Sequence, residues 1–311
     1  MKSIILKDFG GVENLVATDL PIPDLKEGEV LIRTKAISIN PIDVKTRAGR
    51  GASGAFKDTD PIILGWDVSG VVEATKSDLF KIGDAVFGMV NFPGQGRTYA
   101  EYVVSPADHL AIKPDNITHE AAAASSLAAL TAWQILKNYA KIKPGDRVLI
   151  HAAAGGVGHY AVQMAKHLGA YVIGTSSAAK KEFVLSLGAD EHIDYTKQPL
   201  EAATKEIDFV LDSLGGENID HSLNVMNEGG VLVSIPSGLN EQVGEKAAAR
   251  GMQGFATKAY SSGVDMSEIA GLLEKGQVRS HISQTFKLEQ MQEAHLSLET
   301  GKTQGKIVLI P

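Results

Sequence analysis

Cysteine is absent from this chain of 311 residues. The chain therefore forms no disulfide, has no thiolate nucleophile and lacks the usual soft ligands of structural zinc sites. Aromatic residues are few, at 6%, but 44% of the residues are hydrophobic and 22% are charged. These fractions are ordinary for a globular protein, and they exclude disordered and fibrous classes.

Basic stripes and long apolar runs are also missing. The formal net charge is -7, so we expect no nucleic-acid partner, which would need clustered Lys and Arg. No apolar run reaches the ~20 residues that a membrane-spanning helix needs. The first residues, MKSIILKDFGG, hold too short an apolar segment for a signal peptide. We therefore expect no membrane partner and a cytoplasmic location.

The length favours two domains over one continuous core. From Arg147 onward, short apolar runs alternate with helix-length segments, which is typical of a doubly wound α/β domain with a parallel sheet. These apolar runs lack polar alternation, as strands buried on both faces do. The predicted strands are residues 147–151, 171–175, 191–194, 207–212 and 230–235.

The first hundred residues have a different pattern. Residues 30–39 alternate in part, and frequent Gly and Pro indicate an irregular β-rich domain. The tail, with a predicted helix at 266–275 and strands at 281–286 and 306–310, is expected to rejoin it. An Ala-rich helix from 118 to 139 is expected to begin the α/β domain. The predicted boundaries are 1–115 with 263–311, and 116–262.

A glycine-rich turn, HAAAGGVG, lies directly between a predicted strand and a predicted helix. Ala153, Gly155 and Gly158 fill the positions of a G-x-G-x-x-G dinucleotide fingerprint. Gly155 would let backbone amides approach a pyrophosphate, and Gly158 would let the helix pack closely on the sheet. The alternative is an ordinary tight turn. In its βαβ setting, the motif predicts a dinucleotide cofactor.

The second strand of this fold usually ends near a carboxylate that binds the adenosine ribose of NAD. Here Gly174-Thr175-Ser176-Ser177 is followed by Lys180 and Lys181, which favours NADPH. Lys181 is predicted to bind the 2′-phosphate, with hydrogen bonds from Ser176 and Ser177 and with Tyr195 beside them. The alternative for both lysines is a solvated helix face.

Several segments taken in order resemble the zinc-independent quinone oxidoreductase branch of the medium-chain dehydrogenase/reductase superfamily, which includes zeta-crystallin-like and enone oxidoreductases. The resemblance runs nearly from end to end. It implies a GroES-like catalytic domain built from both chain ends, a Rossmann NADPH-binding domain between them, and a homodimer joined through the Rossmann sheets. The segments are DFGGVENL, INPIDVKTRAG, ILGWDVSGVV, LTAWQIL, HAAAGGVG, VLDSLGG and GKIVL.

Zinc alcohol dehydrogenases of the same superfamily carry metal ligands in two of these segments. Asn40 stands where those enzymes have a cysteine, and Trp66 stands where they have a histidine. We therefore predict no metal. Reduction of a carbonyl to an alcohol depends on metal polarisation of the oxygen, whereas a quinone or an enone is electrophilic by itself.

The resemblance also implies roles at the reacting end of the site. Asn40 would position nicotinamide and substrate, Thr131 would contact the nicotinamide, and Lys45 would bind the substrate oxygen or relay a proton. Lys45 could instead be a solvated lysine, and Asp43 a carboxylate that stabilises a turn. Trp66 and Phe92 are candidate walls of the acceptor pocket, although Trp66 fits a core role equally. The predicted cofactor set also includes Gly156, Val157, Leu214, Ile235 and Lys306.

Other polar residues are expected to be structural. His109, His151 and His159 lack the spacing of a metal site. Asp212 is expected to cap the loop at 213–216.

Residues and resemblance together predict an NADPH-dependent, metal-free oxidoreductase that transfers hydride to a quinone or an α,β-unsaturated carbonyl compound. One alternative is a 2-enoyl thioester reductase, which usually has a tyrosine acid that the segment NPIDVK lacks. Another is a non-catalytic NADPH-binding sensor or structural protein.

Overall fold

The computed structural model describes all residues from 1 to 311. They form two compact units, Met1–Leu130 with Ala259–Pro311, and Thr131–Lys258. The domain boundaries at 115/116 and 262/263 stay a prediction. No helix combines the length and the apolar character needed to cross a membrane.

The amino-terminal part of the first unit is rich in strands, as predicted. β3 is the longest of them and pairs antiparallel with β5 and β7, while β1 pairs with β2 and β4 in a small separate sheet. The strands are β1 Lys2–Leu6, β2 Leu15–Asp19, β3 Glu29–Ile39, β4 Ile62–Ile63, β5 Asp67–Thr75, β6 Ala85–Met89, β7 Tyr102–Pro106 and β8 Leu110–Ile112. Short 3-10 turns lie at Val12–Asn14, Ser53–Phe56 and Ala107–His109.

The end of β3 leads at once into helix α1, Pro41–Arg47. Asn40 caps this helix from the extended conformation, and Pro41 supplies the fixed φ that suits a first helical position. The carboxyl group of Asp43 turns back and accepts the Asn40 backbone N–H at 2.6 Å. The sequence N-P-x-D is therefore a helix start.

The Ala-rich segment at 118–139 is not one helix, so this prediction was wrong. It forms α2 His119–Ala124 and α3 Leu127–Ile135, with a π turn at Leu136–Ala140. The Ser125 hydroxyl donates to the Ala122 carbonyl at 2.9 Å, and the Leu127 amide donates to Oδ1 of Asp67 at 2.8 Å. A distant carboxylate thus starts a second helix where composition alone favours continuation.

The second unit is a six-stranded parallel sheet with helices, which confirms the doubly wound prediction. The predicted strands at 191–194 and 207–212 are confirmed, whereas the strand predicted at 230–235 begins earlier and β14 was missed. The strands are β9 Arg147–Ile150, β10 Tyr171–Ser176, β11 Glu191–Asp194, β12 Ile207–Asp212, β13 Met226–Ser234 and β14 Gln253–Ala256. The helices are α4 Gly158–His167, α5 Lys181–Ser186, α6 Leu200–Ala203, α7 Asn218–Leu223 and α8 Val243–Ala248, with a 3-10 turn at Ala178–Lys180.

The strand order of this sheet is β11-β10-β9-β12-β13-β14. Its core packs Leu149, Val210 and Leu232 with Ile219 of α7 and Val243 of α8. Since all strands run parallel, the turns after their carboxyl ends lie along one edge. The order reverses between β9 and β12, which is the point at which such sheets bind ligands.

The tail returns to the first unit, as predicted. It forms α9 Gly263–Glu274, β15 Ile282–Lys287, a 3-10 turn at Leu288–Gln290, α10 Met291–Glu299 and β16 Lys306–Ile310. β16 pairs antiparallel with β3, from Ile307 opposite Ile39 to Leu309 opposite Ile37. The resulting order is β15-β16-β3-β5-β6-β8, with β7 also paired to β3. Both chain ends therefore share one sheet.

Helix α4 begins in close contact with the turn that precedes it. A Cβ atom added at Gly158 would lie 2.8 Å from the Ala153 Cα, and it would also meet the Ala152 carbonyl oxygen. These are backbone atoms, so no side chain can move aside. The predicted reason for Gly158, close packing of the helix, is confirmed.

Replacing Gly158 by Ala is expected to destabilise the protein by about 2–4 kcal/mol, because the clash forces α4 off its turn. The matched control is Gly271→Ala in α9, where an added Cβ meets nothing within 4 Å. That change should be neutral or stabilising by up to about 1 kcal/mol. Urea unfolding measures both, and equal midpoints would contradict the packing argument.

Candidate active site

A buried polar cluster surrounds the side chain of Asn40. The Asn40 amide nitrogen donates to Oδ2 of Asp67 at 2.9 Å, and its oxygen accepts a hydrogen bond from the Lys306 ammonium. The same ammonium donates to the Ile39 carbonyl at 3.0 Å and lies 3.6 Å from Oδ2 of Asp67. None of the three side chains is appreciably exposed. Both ends of the Asn40 amide are therefore held by charged groups.

Three neighbouring strands bring these residues together. Asn40 follows β3, Asp67 begins β5 and Lys306 begins β16, and β3 lies between the other two in the sheet. Ser38 pairs with Asp67, and Ile39 pairs with Ile307. The cluster is thus a consequence of strand register.

Asp43 is a second buried carboxyl beside this cluster. Burial, and after it the nearby Asp67, raise the pKa of Asp43 to about 8. Burial also raises the pKa of Asp67 and lowers that of Lys306, but these two opposite charges oppose both shifts. Oδ1 of Asp43 has no hydrogen-bond partner of good geometry. At neutral pH, Asp67 and Lys306 form the ion pair and Asp43 holds a proton.

A hydrogen-bonded chain begins at Tyr99, beside Asp43, and leads towards α10. The Tyr99 hydroxyl lies 2.9 Å from Nε2 of His295 and near enough to Asp43 to lower the pKa of that carboxyl. Arg47 donates to Nδ1 of His295 at 3.4 Å and to Glu299 at 2.6 Å. Since Arg47 can only donate, His295 carries its proton on Nε2 and donates to Tyr99. Burial lowers the pKa of His295 to about 3, so this ring is neutral.

Three predicted substrate-side residues have unequal surroundings. Lys45 lies on α1 and is half-buried. Trp66 is fully buried, donates to the Gly94 carbonyl at 2.7 Å and packs edge-to-face on Phe56 and Phe92. Phe92 is half-buried. Trp66 is therefore a core residue. Of the two aromatic residues predicted to line the acceptor pocket, only Phe92 is partly exposed.

The other predicted cofactor residues belong to the α/β unit, apart from Lys306 and Asn40. Nearly all of them follow the carboxyl ends of its strands, along one edge. Thr131 differs, because it lies on α3 and is buried. The residues at the edge are Ala153, Gly155, Gly156 and Val157 after β9, Ser176, Ser177 and Lys181 at and after β10, Tyr195 after β11, Leu214 after β12 and Ile235 after β13.

The turn after β9 presents backbone donors for a phosphate group. Ala152 adopts a left-handed conformation with φ 47°, which turns the chain sharply, and the Ala153 amide donates to the Thr175 carbonyl at 2.9 Å. The amides of Gly156 and Val157 donate no backbone hydrogen bond and precede α4. Free amides at the start of a helix fit a pyrophosphate.

The corner at the end of β10 contains one residue that sequence reasoning missed. The Ser176 hydroxyl is bound to the Ser177 carbonyl at 3.1 Å and to Nε2 of His192 at 2.8 Å. Lys181 and Tyr195 are exposed. Lys181 begins α5 shortly after β10, and Tyr195 follows the neighbouring strand β11. No sequence pattern marks His192, because only the β10–β11 register brings it to Ser176.

Three histidines and one aspartate have structural contacts. His109 accepts the Asn91 amide, His151 lies between the Thr175 and Ser222 hydroxyls, and His159 contacts the Gly155 carbonyl. Burial lowers the pKa of His151 to about 4. Oδ1 of Asp212 accepts the amides of Leu214 and Gly215, which confirms the predicted cap of this loop. The structure contains no group of three or more His, Cys, Asp or Glu side chains that could hold a metal ion.

Two protein families match the chain. Residues 26–115 match the alcohol dehydrogenase GroES-like domain, and residues 187–309 match the zinc-binding dehydrogenase domain.

Individual relatives match over the whole chain. A 2-methylene-furan-3-one reductase of Solanum lycopersicum is 35% identical over 100% of this chain and 79% of its own length. The solved quinone oxidoreductase of Coxiella burnetii superposes with a TM-score of 0.95 at 36% identity, covering 100% of this chain and 99% of that one. The Escherichia coli quinone oxidoreductase complexed with NADPH gives 0.89 at 31% identity, with 100% of both chains covered.

Replacing Asp43 by Asn, which keeps an oxygen for the Asn40 N–H, is expected to stabilise the protein increasingly as pH rises. The pKa of Asp43 is about 8 in the fold, against an ordinary value of 3.8. Stability contributed by the protonated carboxyl is complete below pH 3.8 and is lost as pH rises to about 8. The difference in Tm between variant and wild type should therefore widen from about pH 5 to about pH 8; a constant difference would contradict the assignment.

Asp67→Asn is the matched comparison, and the opposite sign is expected. This variant leaves the buried Lys306 ammonium without its ionised partner. Breaking a buried pair in this way costs about 3–5 kcal/mol. Urea unfolding at neutral pH measures the loss, and a stability equal to wild type would show that Asp67 and Lys306 are not paired as ions.

Proposed function

Because this chain belongs to the quinone oxidoreductase branch of the medium-chain dehydrogenase/reductase superfamily, we propose that it is an NADPH-dependent oxidoreductase acting on a quinone or an α,β-unsaturated carbonyl compound. The relatives include a quinone oxidoreductase complexed with NADPH and a reductase named for a methylene-furanone. The similarity to these relatives extends over the full length of the chain and therefore covers both units.

The turn after β9 is the observation that carries this proposal. The backbone amides of Gly156 and Val157 donate no backbone hydrogen bond. Helix α4 approaches the backbone of Ala152 and Ala153 so closely that only glycine fits at position 158. Such a turn suits the pyrophosphate of a dinucleotide. The 2′-phosphate end would be held by Lys181, Ser176, Ser177 and Tyr195. Leu214 and Ile235 would line the same side of the sheet between the two ends of the cofactor.

The residues do not fit a catalytic zinc ion. The Asn40 amide is hydrogen-bonded to Asp67 and Lys306. Trp66 is buried, and its ring N–H donates to the Gly94 carbonyl. Neither side chain offers a lone pair of the kind that zinc binds in proteins. The proposed reaction therefore has no step at a metal.

NADPH, when bound, supplies a hydride to the electrophilic carbon of the acceptor. The protein's part in the proposal is orientation. Asn40 keeps one N–H and one oxygen lone pair after its bonds to Asp67 and Lys306, and those remaining groups would position the reactants. Lys306 has its donors on Ile39, Asn40 and Asp67, so it would act through Asn40 and not on the cofactor directly. Lys45 would bind the acceptor's oxygen and deliver the proton.

The alternative of 2-enoyl thioester reduction is not favoured, since the relatives are quinone oxidoreductases and enone reductases. A non-catalytic NADPH-binding role is not favoured either, since these relatives are named as reductases and oxidoreductases.

A homodimer is part of the same proposal. β14 lies at the edge of the parallel sheet, where its outer backbone groups have no strand partner. Such an edge can pair with the same strand of a second copy. The cytoplasmic location stays a prediction.

The purified protein should oxidise NADPH in the presence of a quinone or a short enone, and chelator treatment should not change the rate. A saturated ketone should give no turnover, because its carbonyl is less electrophilic than a quinone or an enone and no metal ion polarises it. Loss of nicotinamide absorbance measures the rates. Tight NADPH binding without turnover of any acceptor would favour a sensor role and overturn the enzymatic proposal.

Lys181→Ala should weaken NADPH binding by about fivefold, the effect of one exposed ion pair, and should leave NADH binding unchanged. The control is Lys205→Ala, which removes an exposed lysine before β12, at the opposite edge of the same sheet. Dissociation constants from nicotinamide fluorescence decide the point. Equal losses for NADPH and NADH would rule out Lys181 as a 2′-phosphate ligand.

A further inference from the structure

His192 is held against the corner at which the proposed 2′-phosphate site lies. β10 and β11 pair in parallel, with Gly174 opposite His192 and Ser176 opposite Asp194. This register brings Nε2 of His192 to 2.8 Å from the Ser176 hydroxyl. The imidazole is half-buried, and Ser176 is buried. The contact is therefore part of the fold and not a chance meeting of surface groups.

The direction of this hydrogen bond follows from the groups around it. The Ser176 hydroxyl has one hydrogen, and the Ser177 carbonyl accepts it at 3.1 Å. Nε2 of His192 must then be the donor to the hydroxyl oxygen. That assignment leaves Nδ1 as the ring's basic nitrogen, and no hydrogen bond occupies it. A second proton can join at Nδ1 without breaking the bond to Ser176.

The charges around His192 come from two elements. Burial is the main cause that lowers its pKa, Lys181 of α5 lowers it further, and Asp194 of its own strand opposes them. From β10, the Ser176 hydroxyl faces the ring, whereas the Thr175 hydroxyl is bound to His151. Without an anion, the ring is neutral at neutral pH. A phosphate dianion beside it would favour the charged form.

We propose that His192 is a specificity-determining residue for NADPH: it fixes the Ser176 oxygen and takes up a proton when the 2′-phosphate binds. This inference rests on the proposed function. The Ser176 hydrogen can then turn from the Ser177 carbonyl to the phosphate while Nε2 keeps the oxygen in position. The protonated ring adds a positive charge to that of Lys181. NADH lacks the 2′-phosphate, so neither the Ser176 hydrogen bond nor the charge of His192 stabilises its binding.

Two variants separate the two effects. His192→Gln keeps a side-chain N–H for Ser176 but cannot be protonated, and His192→Phe keeps a ring without any donor. Dissociation constants for NADPH and NADH, from nicotinamide fluorescence at constant ionic strength, give the selectivity between about pH 6.5 and pH 8.5. The 2′-phosphate also titrates in this range, with a pKa near 6, so each variant is compared with wild type at the same pH.

Wild type should exceed His192→Gln in selectivity by about three- to fivefold at the acidic end, the range of one partly exposed ion pair, and the two should converge at the alkaline end. His192→Phe should be less selective than His192→Gln at every pH. Identical profiles for wild type and His192→Gln would overturn the inference, while the preference for NADPH would stand. Equal affinity of wild type for NADPH and NADH would instead overturn the proposed cofactor.

Calorimetry on the unaltered protein tests the proton directly, whatever the variants do to folding. Binding of NADPH near neutral pH, in buffers of different ionisation enthalpy, should show net proton uptake, and binding of NADH should show none. Positively charged side chains around the phosphate lower the pKa of the phosphate itself. That effect releases protons on binding, which is opposite in sign to the uptake by His192. Release or no change with NADPH would contradict protonation of His192.

Discussion

The ion pair between Lys306 and Asp67 is the interaction on which the β-rich unit depends. Two opposite charges lie almost wholly out of water, and each would be costly alone. Further hydrogen bonds offset that cost, to Ile39, to the Asn40 amide and from the Leu127 backbone. One pair thereby joins β16 to β3 and β5 and also begins α3. The same contacts fix the orientation of Asn40, so structural support and the proposed chemistry share their atoms.

The α/β unit solves a different problem, that of gathering small polar groups along one side of a parallel sheet. Its strands carry almost no functional side chains within their length. Instead, the parallel direction puts the turns after β9, β10, β11, β12 and β13 along one edge. Amides and hydroxyls dominate there, with Lys181 as an exposed cation. A dinucleotide is an extended polyanion with two ribose rings, and such an edge matches its length and its chemistry.

Sequence reasoning reached the fold and most of the edge because those features are local. The turn HAAAGGVG, the strand at 191–194 and the cap by Asp212 each depend on neighbours a few residues away. It failed where a distant partner decides. Asp67 starts a helix at Leu127 and so divides an Ala-rich segment that looks continuous. Gln253–Ala256 is a strand only because β13 offers it a partner, and nothing in GKIVL shows that Lys306 turns inward. His192 and the chain from Tyr99 to Glu299 depend likewise on register and packing, which single-sequence patterns do not record.

The division of the first unit between the two ends of the chain has a consequence for its synthesis. Thr131–Lys258 is one uninterrupted stretch and can begin to fold as it leaves the ribosome, whereas the sheet around β3 is complete only once β16 has been made. Until Lys306 is made, Asp67 is a carboxylate with no cation, and the residues of β3 from 37 to 39 have an open edge. A nascent chain that stalls before this strand exposes unpaired backbone beside apolar side chains, the features that chaperones and proteases act on. Pairing of β16 with β3 is therefore the step that completes the sheet of the first unit.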